Sequence, residues 1–382
     1  MGSEERRIGG LDGLRALAVL GVFLFHANVA GAQLGWSGVE LFYVLSGFLI
    51  TGILLDARES PGYFRGFYAR RALRILPAYF IVLALSVAVA ALSGRTDAFG
   101  FLPYYLLYLQ NYFPQLATQF GAGIPLLSHT WTLAIEEQFY WLWPLVIFVA
   151  RGRALPAVLA GAFALGPLSR LALFVGAAGN PFATVLPLPA QTDLLAAGAV
   201  VALALRSGVG AERIARAAGL AVALGAVLLA ALVVDLGLPA FAHPSRWATR
   251  PEGILVFSAM SLLFGGLVAG VVVAWGGLRA ALCVAPLAHL GRISYGLYLY
   301  NPLALFIASS VADPLHPTDA FAYGTNLPAH IAGFALTYLI ALLSFRYVET
   351  PILRLKRRFA APTLDATGAP RFPRDLPARS AL

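Results

Sequence analysis

The chain has 382 residues, 59% hydrophobic and only 12% charged, with a mean hydropathy of +0.78; soluble domains carry roughly a quarter charged residues, so an integral membrane protein is indicated instead. Its net charge of +9 comes from 27 basic and 18 acidic residues, and every basic residue except Lys356 is arginine. The arginines do not interleave with aromatics on one polar surface, which excludes a nucleic-acid groove and leaves membrane topology as the reason for the excess. With one cysteine, Cys283, an intrachain disulfide and a cysteine-based metal site are also excluded.

Crossing a hydrocarbon layer of about 30 Å takes roughly 20 apolar residues. Suitable runs have cores at 11–29, 39–55, 75–92, 131–149, 155–175, 190–206, 217–236, 254–275, 287–309 and 329–346. The predicted fold class is all-α, a polytopic membrane helix bundle of about ten transmembrane helices plus a re-entrant segment. One membrane domain is expected over 1–355. It is followed by a basic, proline-rich tail over 356–382 that is expected to be disordered and cytoplasmic.

The first run, LDGLRALAVLGVFLFHANV, places Asp12, Arg15 and His26 in otherwise apolar sequence. Arg15 and His26 are eleven residues apart, which closes to within about 20° of three helical turns, so both share a face with about 16 Å of rise between them. Polar groups at such depth point to function. Arg6-Arg7, the apolar core and Ala30-Gly31-Ala32 also have the outline of a signal peptide. Asp12 and Arg15 interrupt that pattern and further spans follow at once, so the segment is read as a retained first helix.

In the second run, Glu40, Tyr43, Gly47 and Thr51 share one face. The short hairpin before it is expected to set Glu40 at the depth of His26. A carboxylate there would orient the imidazole and stabilise its protonated form, although a purely structural Glu–His contact fits the spacing equally well. The stretch GYFRGFYARRALRILP carries Arg71 and Arg74 three residues apart, so both guanidinium groups can converge on one anion. An arginine cluster at the cytoplasmic end of a helix is also a routine topology signal.

The run 99–113 is short and flanked by Pro103 and Pro114, which suits a re-entrant or interfacial segment with Gln110 and Asn111 as satisfied amides. Skipping it keeps most arginines on one side. Arg58, Arg65, Arg70, Arg71 and Arg74 then share the cytoplasm with both termini, while Arg95, Arg246 and Arg250 lie opposite. The fourth run opens SHTWTLAIEEQFYWLWP, where Glu136 and Glu137 are hard to explain as packing. Glu136 and Tyr140, one turn apart, can face one cavity. His129 stands at the outer mouth, suited either to chemistry or to a lipid headgroup. Adjacent carboxylates on a helix diverge by about 100°, which excludes the paired-carboxylate geometry of a glycosidase. Ser46 is the nearest candidate nucleophile but points away from the Glu40 face. His316, Asp313 and Asp319 in the loop 312–328 are read as a solvated loop, and no metal-ligand spacing is present.

Taken together, LDGLRALAVLGVFLFH, GVELFYVLSGFLITGIL, ARRALRILP, HTWTLAIEEQFYWLWP, LGRISYGLYLYNP and SFRYVETP occur in the order seen in the integral-membrane acyltransferase-3 family. The chain resembles that family from about residue 8 to about 352. The resemblance implies a multi-pass plasma-membrane enzyme, in a bacterial inner membrane. It would move an acyl group, most often acetyl, from cytoplasmic acyl-CoA to a hydroxyl of a carbohydrate, lipid-linked glycan or macrolide-like acceptor. It implies His26 as general base with Glu40 and Glu136 as acidic partners, and Arg15, Arg71 and Arg74 as CoA contacts. Acyl-CoA would act as donor substrate, with no permanently bound cofactor. The family often has a histidine where this chain has Asn301, so any role of that histidine is absent or passes to an amide. A fused extracytoplasmic hydrolase-like domain, present in some members, is not expected here. The rival reading is a transporter or flippase for a lipid-linked glycan, in which the same buried polar residues would line a substrate or proton path.

Overall fold

The computed structural model describes residues 10–26, 29, 31–112, 123–124, 126–176, 180, 182–312 and 327–359. The loop residues His316, Asp313 and Asp319 and most of the proline-rich tail lie outside the described residues. Among those described, regular structure is entirely helical. The longer helices are α1 (Leu11–His26), α2 (Gly38–Ala57), α3 (Tyr63–Leu92), α4 (Trp131–Val149), α5 (Ala154–Gly176), α6 (Thr192–Ala204), α7 (Ala211–Leu236), α8 (Val256–Val273), α9 (Ser294–Ala312) and α10 (Leu327–Ser344). Each falls on one of the apolar runs read from the sequence. The largest boundary difference is in α3, which begins at Tyr63 and so carries Arg70, Arg71 and Arg74 on the same continuous helix as its apolar part.

Six stretches of the described chain are long and apolar enough to cross a membrane: 35–57, 63–92, 154–176, 211–236, 251–273 and 330–356. The protein is thus a polytopic helical membrane protein. Helices α1, α4, α6 and α9 are outside this set. Length sets α1 and α6 apart, and Glu136, Glu137 and Gln138 lower the hydropathy of α4. Three of these four helices, α1, α4 and α9, line the cavities described below.

The segment expected to be re-entrant contains a helix of only five residues, Leu102–Leu106, far too short to cross. Its amides act as fasteners. Gln110 Nε2 donates to Thr130 O at 2.9 Å, Asn111 Nδ2 donates to Leu186 O at 3.0 Å, and Asn111 Oδ1 accepts from Gln138 Nε2 at 2.8 Å.

Close helix contacts depend on small residues, as in other membrane bundles. A Cβ on Gly47 would overlap the carbonyl oxygen of Leu195, and one on Gly198 would overlap that of Val44, so α2 and α6 meet backbone to backbone. The hairpin between α1 and α2 folds back in the same manner. Gly38 lies against the Ala18 carbonyl, so α2 starts about two turns short of His26.

Candidate functional site

Two adjoining cavities occupy the space among α1, α2, α3, α4, α9 and α10. The larger, of about 910 Å³ including its open mouth, is lined by Arg15, Arg71, Arg74, Glu136, Ser46 and Tyr140 together with aliphatic side chains. The smaller, of about 430 Å³ again including its opening, is lined by His26, His129, Asn301, Thr337 and aromatic and aliphatic groups. Val19, Val22 and Tyr298 line both and form the wall between them.

Helical periodicity explains how three helices serve both cavities. On α1, Arg15, Val19, Val22 and His26 stand at offsets of four, seven and eleven and make one stripe, as the sequence reading placed Arg15 and His26. On α4, Tyr140, Glu136 and Thr132 face the arginine cavity, and His129, just before the helix, reaches the histidine cavity. On α9, Ser294, Tyr295 and Tyr298 face the first and Asn301 the second. Helices α1 and α9 therefore run from arginine cavity to histidine cavity, and α4 runs back.

Glu136 is placed by hydrogen bonds from neighbouring helices. Ser46 Oγ donates to Glu136 Oε1 at 2.7 Å, and Tyr140 Oη lies 2.9 Å from Ser46 Oγ and 3.2 Å from Glu136 Oε2. The guanidinium of Arg71 covers the Tyr140 ring at 3.6 Å from its centroid, a cation–π contact in a partly desolvated setting. Arg15 keeps a loose ion pair with Asp12 at 3.5 Å.

The arginines separate into two kinds by what satisfies them. Arg206 is bidentate to Asp56 at 2.6 and 2.8 Å, Arg58 caps the end of α4 through the carbonyls of Ile147 and Ala150, and Arg70 donates to Phe359 O at 2.6 Å. Arg170, 1% exposed, has an acceptor for each of its five N–H groups: both oxygens of Asp193, the carbonyls of Ile254 and Ala190, and Ser258 Oγ. These are structural charges. Arg71 and Arg74, by contrast, have no hydrogen bond or ion pair among the described residues, and Arg71 Nε is buried without an acceptor. Two guanidinium groups without a protein partner thus line one cavity, a geometry that several oxygens of one anion can match.

The sequence expectation for Glu40 meets a different geometry. Glu40 is 3% exposed, lines neither cavity and makes no hydrogen bond or ion pair with His26; one of its oxygens is buried without a partner. The reason is the folded-back hairpin: with Gly38 at the level of Ala18, Glu40 lies well below His26 rather than beside it. Glu136, expected on the histidine side, belongs to the arginine cavity instead. Ser46 leaves the Glu40 face, and that same departure turns it toward Glu136. Ser344 Oγ, Tyr300 Oη and the buried Glu349 form a further network at the π-helical turn Phe345–Glu349 within the SFRYVETP motif. Among the described residues no group of three or more His, Cys, Asp or Glu side chains is placed to hold a metal ion.

The polytopic bundle thus has an arginine-lined cavity backed onto an imidazole-lined one. The chain belongs to the acyltransferase-3 family, whose acyltransferase-domain model matches residues 8–346. It is 27% identical over 368 residues to the peptidoglycan O-acetyltransferase OatA of Listeria monocytogenes, covering 91% of this chain and 56% of that protein. It is 28% identical over 373 residues to the O-acetyltransferase OatA of Staphylococcus aureus, covering 91% of this chain and 58% of that protein. The chain thus spans a little over half the length of these relatives. No solved structure matches it. The protein is a multi-pass membrane protein of an O-acyltransferase family.

Proposed function

We propose that the protein transfers an acyl group, in the first instance acetyl, from cytoplasmic acyl-CoA to a hydroxyl of a carbohydrate. The observation carrying this reading is the pair of arginines without a protein partner, Arg71 and Arg74, in a cavity separated from His26 by Val19, Val22 and Tyr298. The nucleotide phosphates of the donor sit with Arg71, Arg74 and Arg15, and the pantetheine arm extends along the aliphatic lining toward the wall. The roughly 16 Å of rise from Arg15 to His26 is of the order such an arm spans.

In the transfer step His26 acts as general base. The acceptor oxygen forms its bond to the thioester carbonyl carbon as His26 takes the hydroxyl proton, the carbon–sulfur bond breaks, and the proton passes to the departing thiolate. Neutral imidazole suits this work near pH 7. Glu136 is assigned to the donor side, where Ser46 and Tyr140 hold it and Arg71 covers the Tyr140 ring. Glu40 has no direct part in the step. Ten crossings, with both termini cytoplasmic in a bacterial plasma membrane, accord with the arginine distribution. The similarity to OatA, named for peptidoglycan O-acetylation in Listeria monocytogenes, favours a cell-envelope glycan as acceptor.

The test is thiol release from acetyl-CoA by the purified protein, with and without glycan acceptors, beside a direct measurement of acetyl-CoA binding. Acceptor-dependent thiol release is expected. Absence of both turnover and binding would refute the reading and favour transport of a glycan.

A further inference from the structure

His129 is 9% exposed, lies on the wall of the histidine cavity, and has no hydrogen-bond partner at either ring nitrogen. Its backbone carbonyl accepts from Tyr298 Oη and from Thr132 Oγ1. Backbone groups of Leu126, Tyr298 and Leu299 lie nearest the ring, none of them in hydrogen-bond geometry with it. The carbonyl is thus held while the imidazole has no hydrogen-bond partner of its own. Buried polar groups without partners are uncommon, and one that lines a cavity asks for a partner inside it.

The remaining lining indicates what that partner is. Asn301 and Thr337 add an amide and a hydroxyl on the side away from the arginines, with Thr337 Oγ1 donating to Gly333 O at 2.7 Å and standing 3.4 Å from Asn301 Oδ1. Phe23 and Phe334, with ring centroids 4.7 Å apart, supply an apolar face. No Asp, Glu, Lys or Arg is among the lining residues. A carboxylate or phosphate brought here would lose its hydration without gaining a countercharge. A sugar ring, with hydroxyls on its edge and C–H groups on its face, matches both kinds of wall.

Resting on the acyl-transfer reading above, we propose that His129 is an acceptor-binding residue and that the acceptor unit entering this cavity is an uncharged sugar. The sugar carries a second hydrogen-bonding group, hydroxyl or acetamido, beside the hydroxyl that reacts. His26 faces the reacting hydroxyl, and His129, with Asn301, holds its neighbour. An acceptor-side role separates His129 from the donor machinery, which gives the inference its test.

The full chain in lipid nanodiscs is supplied with acetyl-CoA and either chitotetraose, a neutral N-acetylglucosamine oligomer, or tri-galacturonic acid, an anionic one. Wild type is expected to bind acetyl-CoA and to acetylate, or at least bind, chitotetraose in preference to the uronic acid. For His129→Phe the KM for chitotetraose should rise ten-fold or more while the Kd for acetyl-CoA stays within two-fold, and His129→Gln should recover part of the loss. Asn301→Leu should move the same parameter in the same direction, and it serves as second variant if His129→Phe is misfolded, as judged by lost acetyl-CoA binding. An unchanged acceptor KM in a folded His129→Phe or Asn301→Leu protein overturns the inference, as does a preference for the uronic acid. Wild type unable to bind acetyl-CoA would instead count against the acyl-transfer reading itself.

Discussion

The ion pair of Arg170 and Asp193 offers a quantitative test of the distinction between structural and ligand-seeking charges. It joins α5 to α6 at 2.7 Å, with both side chains at 1% exposure or less, and Ser258 from α8 completes it by donating to Asp193 Oδ2 at 2.8 Å. Replacing Arg170 by Met leaves the carboxylate buried with little beyond a serine hydroxyl to compensate it, a change that costs about 3–5 kcal/mol. Replacing both partners, Arg170→Met with Asp193→Leu, removes the uncompensated charge as well, and such double replacements are often neutral or stabilising by about 1–4 kcal/mol. The double variant is therefore expected to be markedly more stable than either single one, with a coupling energy of at least about 2 kcal/mol. Unfolding of the detergent-solubilised protein, followed by tryptophan fluorescence, measures it, and acetyl-CoA binding by the double variant should be unchanged. If the two substitutions add without coupling, the pair is not the unit described here and the sorting of arginines by satisfaction loses its basis.

Arg71→Met and Arg74→Met should each raise the KM for acetyl-CoA by roughly ten- to one-hundred-fold, since one charge-assisted hydrogen bond is worth about 1.5–3 kcal/mol; titrating thiol release against donor concentration checks this, and an unaffected KM would move the phosphate site elsewhere. His26→Ala should lower kcat by at least about 100-fold with acetyl-CoA affinity retained, as expected on losing a general base; pre-steady-state thiol release reads it. Ser46→Ala takes a 2.7 Å hydrogen bond from Glu136 and should weaken donor turnover by about ten-fold, whereas Ser46→Thr should retain most of it. Gly47→Ala should destabilise the fold by about 1–3 kcal/mol, because its methyl group would enter the Leu195 carbonyl, while Gly219→Ala, with open space around it, should be tolerated in the same unfolding assay.

Hydropathy made the membrane bundle legible, and every apolar run became a helix. Helical periodicity made the Arg15–His26 stripe and the Glu136–Tyr140 pair legible as well, because those relations lie within one helix and depend only on residue spacing. What the sequence withheld were relations between helices. The depth of Glu40 depends on where the α1–α2 hairpin folds back, which is decided by a glycine touching a carbonyl twenty residues away. Ser46 meets its partner Glu136 across ninety positions. Arg170 and Asp193 sit in separate apolar runs and gave no pattern, although two opposite charges in neighbouring spans are a usable cue for pairing. Of the six helices around the two cavities, α2, α3 and α10 have the length and hydropathy of a free-standing span, and in α4 the buried Glu137 and Gln138 beside Glu136 lower that hydropathy.

The wall of Val19, Val22 and Tyr298 has a bioenergetic consequence. One elementary charge carried through a membrane at 100 mV is worth about 2.3 kcal/mol. On the acyl-transfer reading, the phosphates of the donor stay on the arginine side, and the acetyl group that leaves a thiolate behind is balanced by the hydroxyl proton returning to that thiolate, so no net charge passes the wall. Tyr298 is held there by Thr132 Oγ1 at 2.5 Å and by the His129 carbonyl, and the valines flank it with apolar surface, so the barrier presents no fixed charge for a hydrated ion to follow. Acetyl groups then cross without drawing on the transmembrane potential or short-circuiting it, and the rate should be the same in energised and uncoupled vesicles.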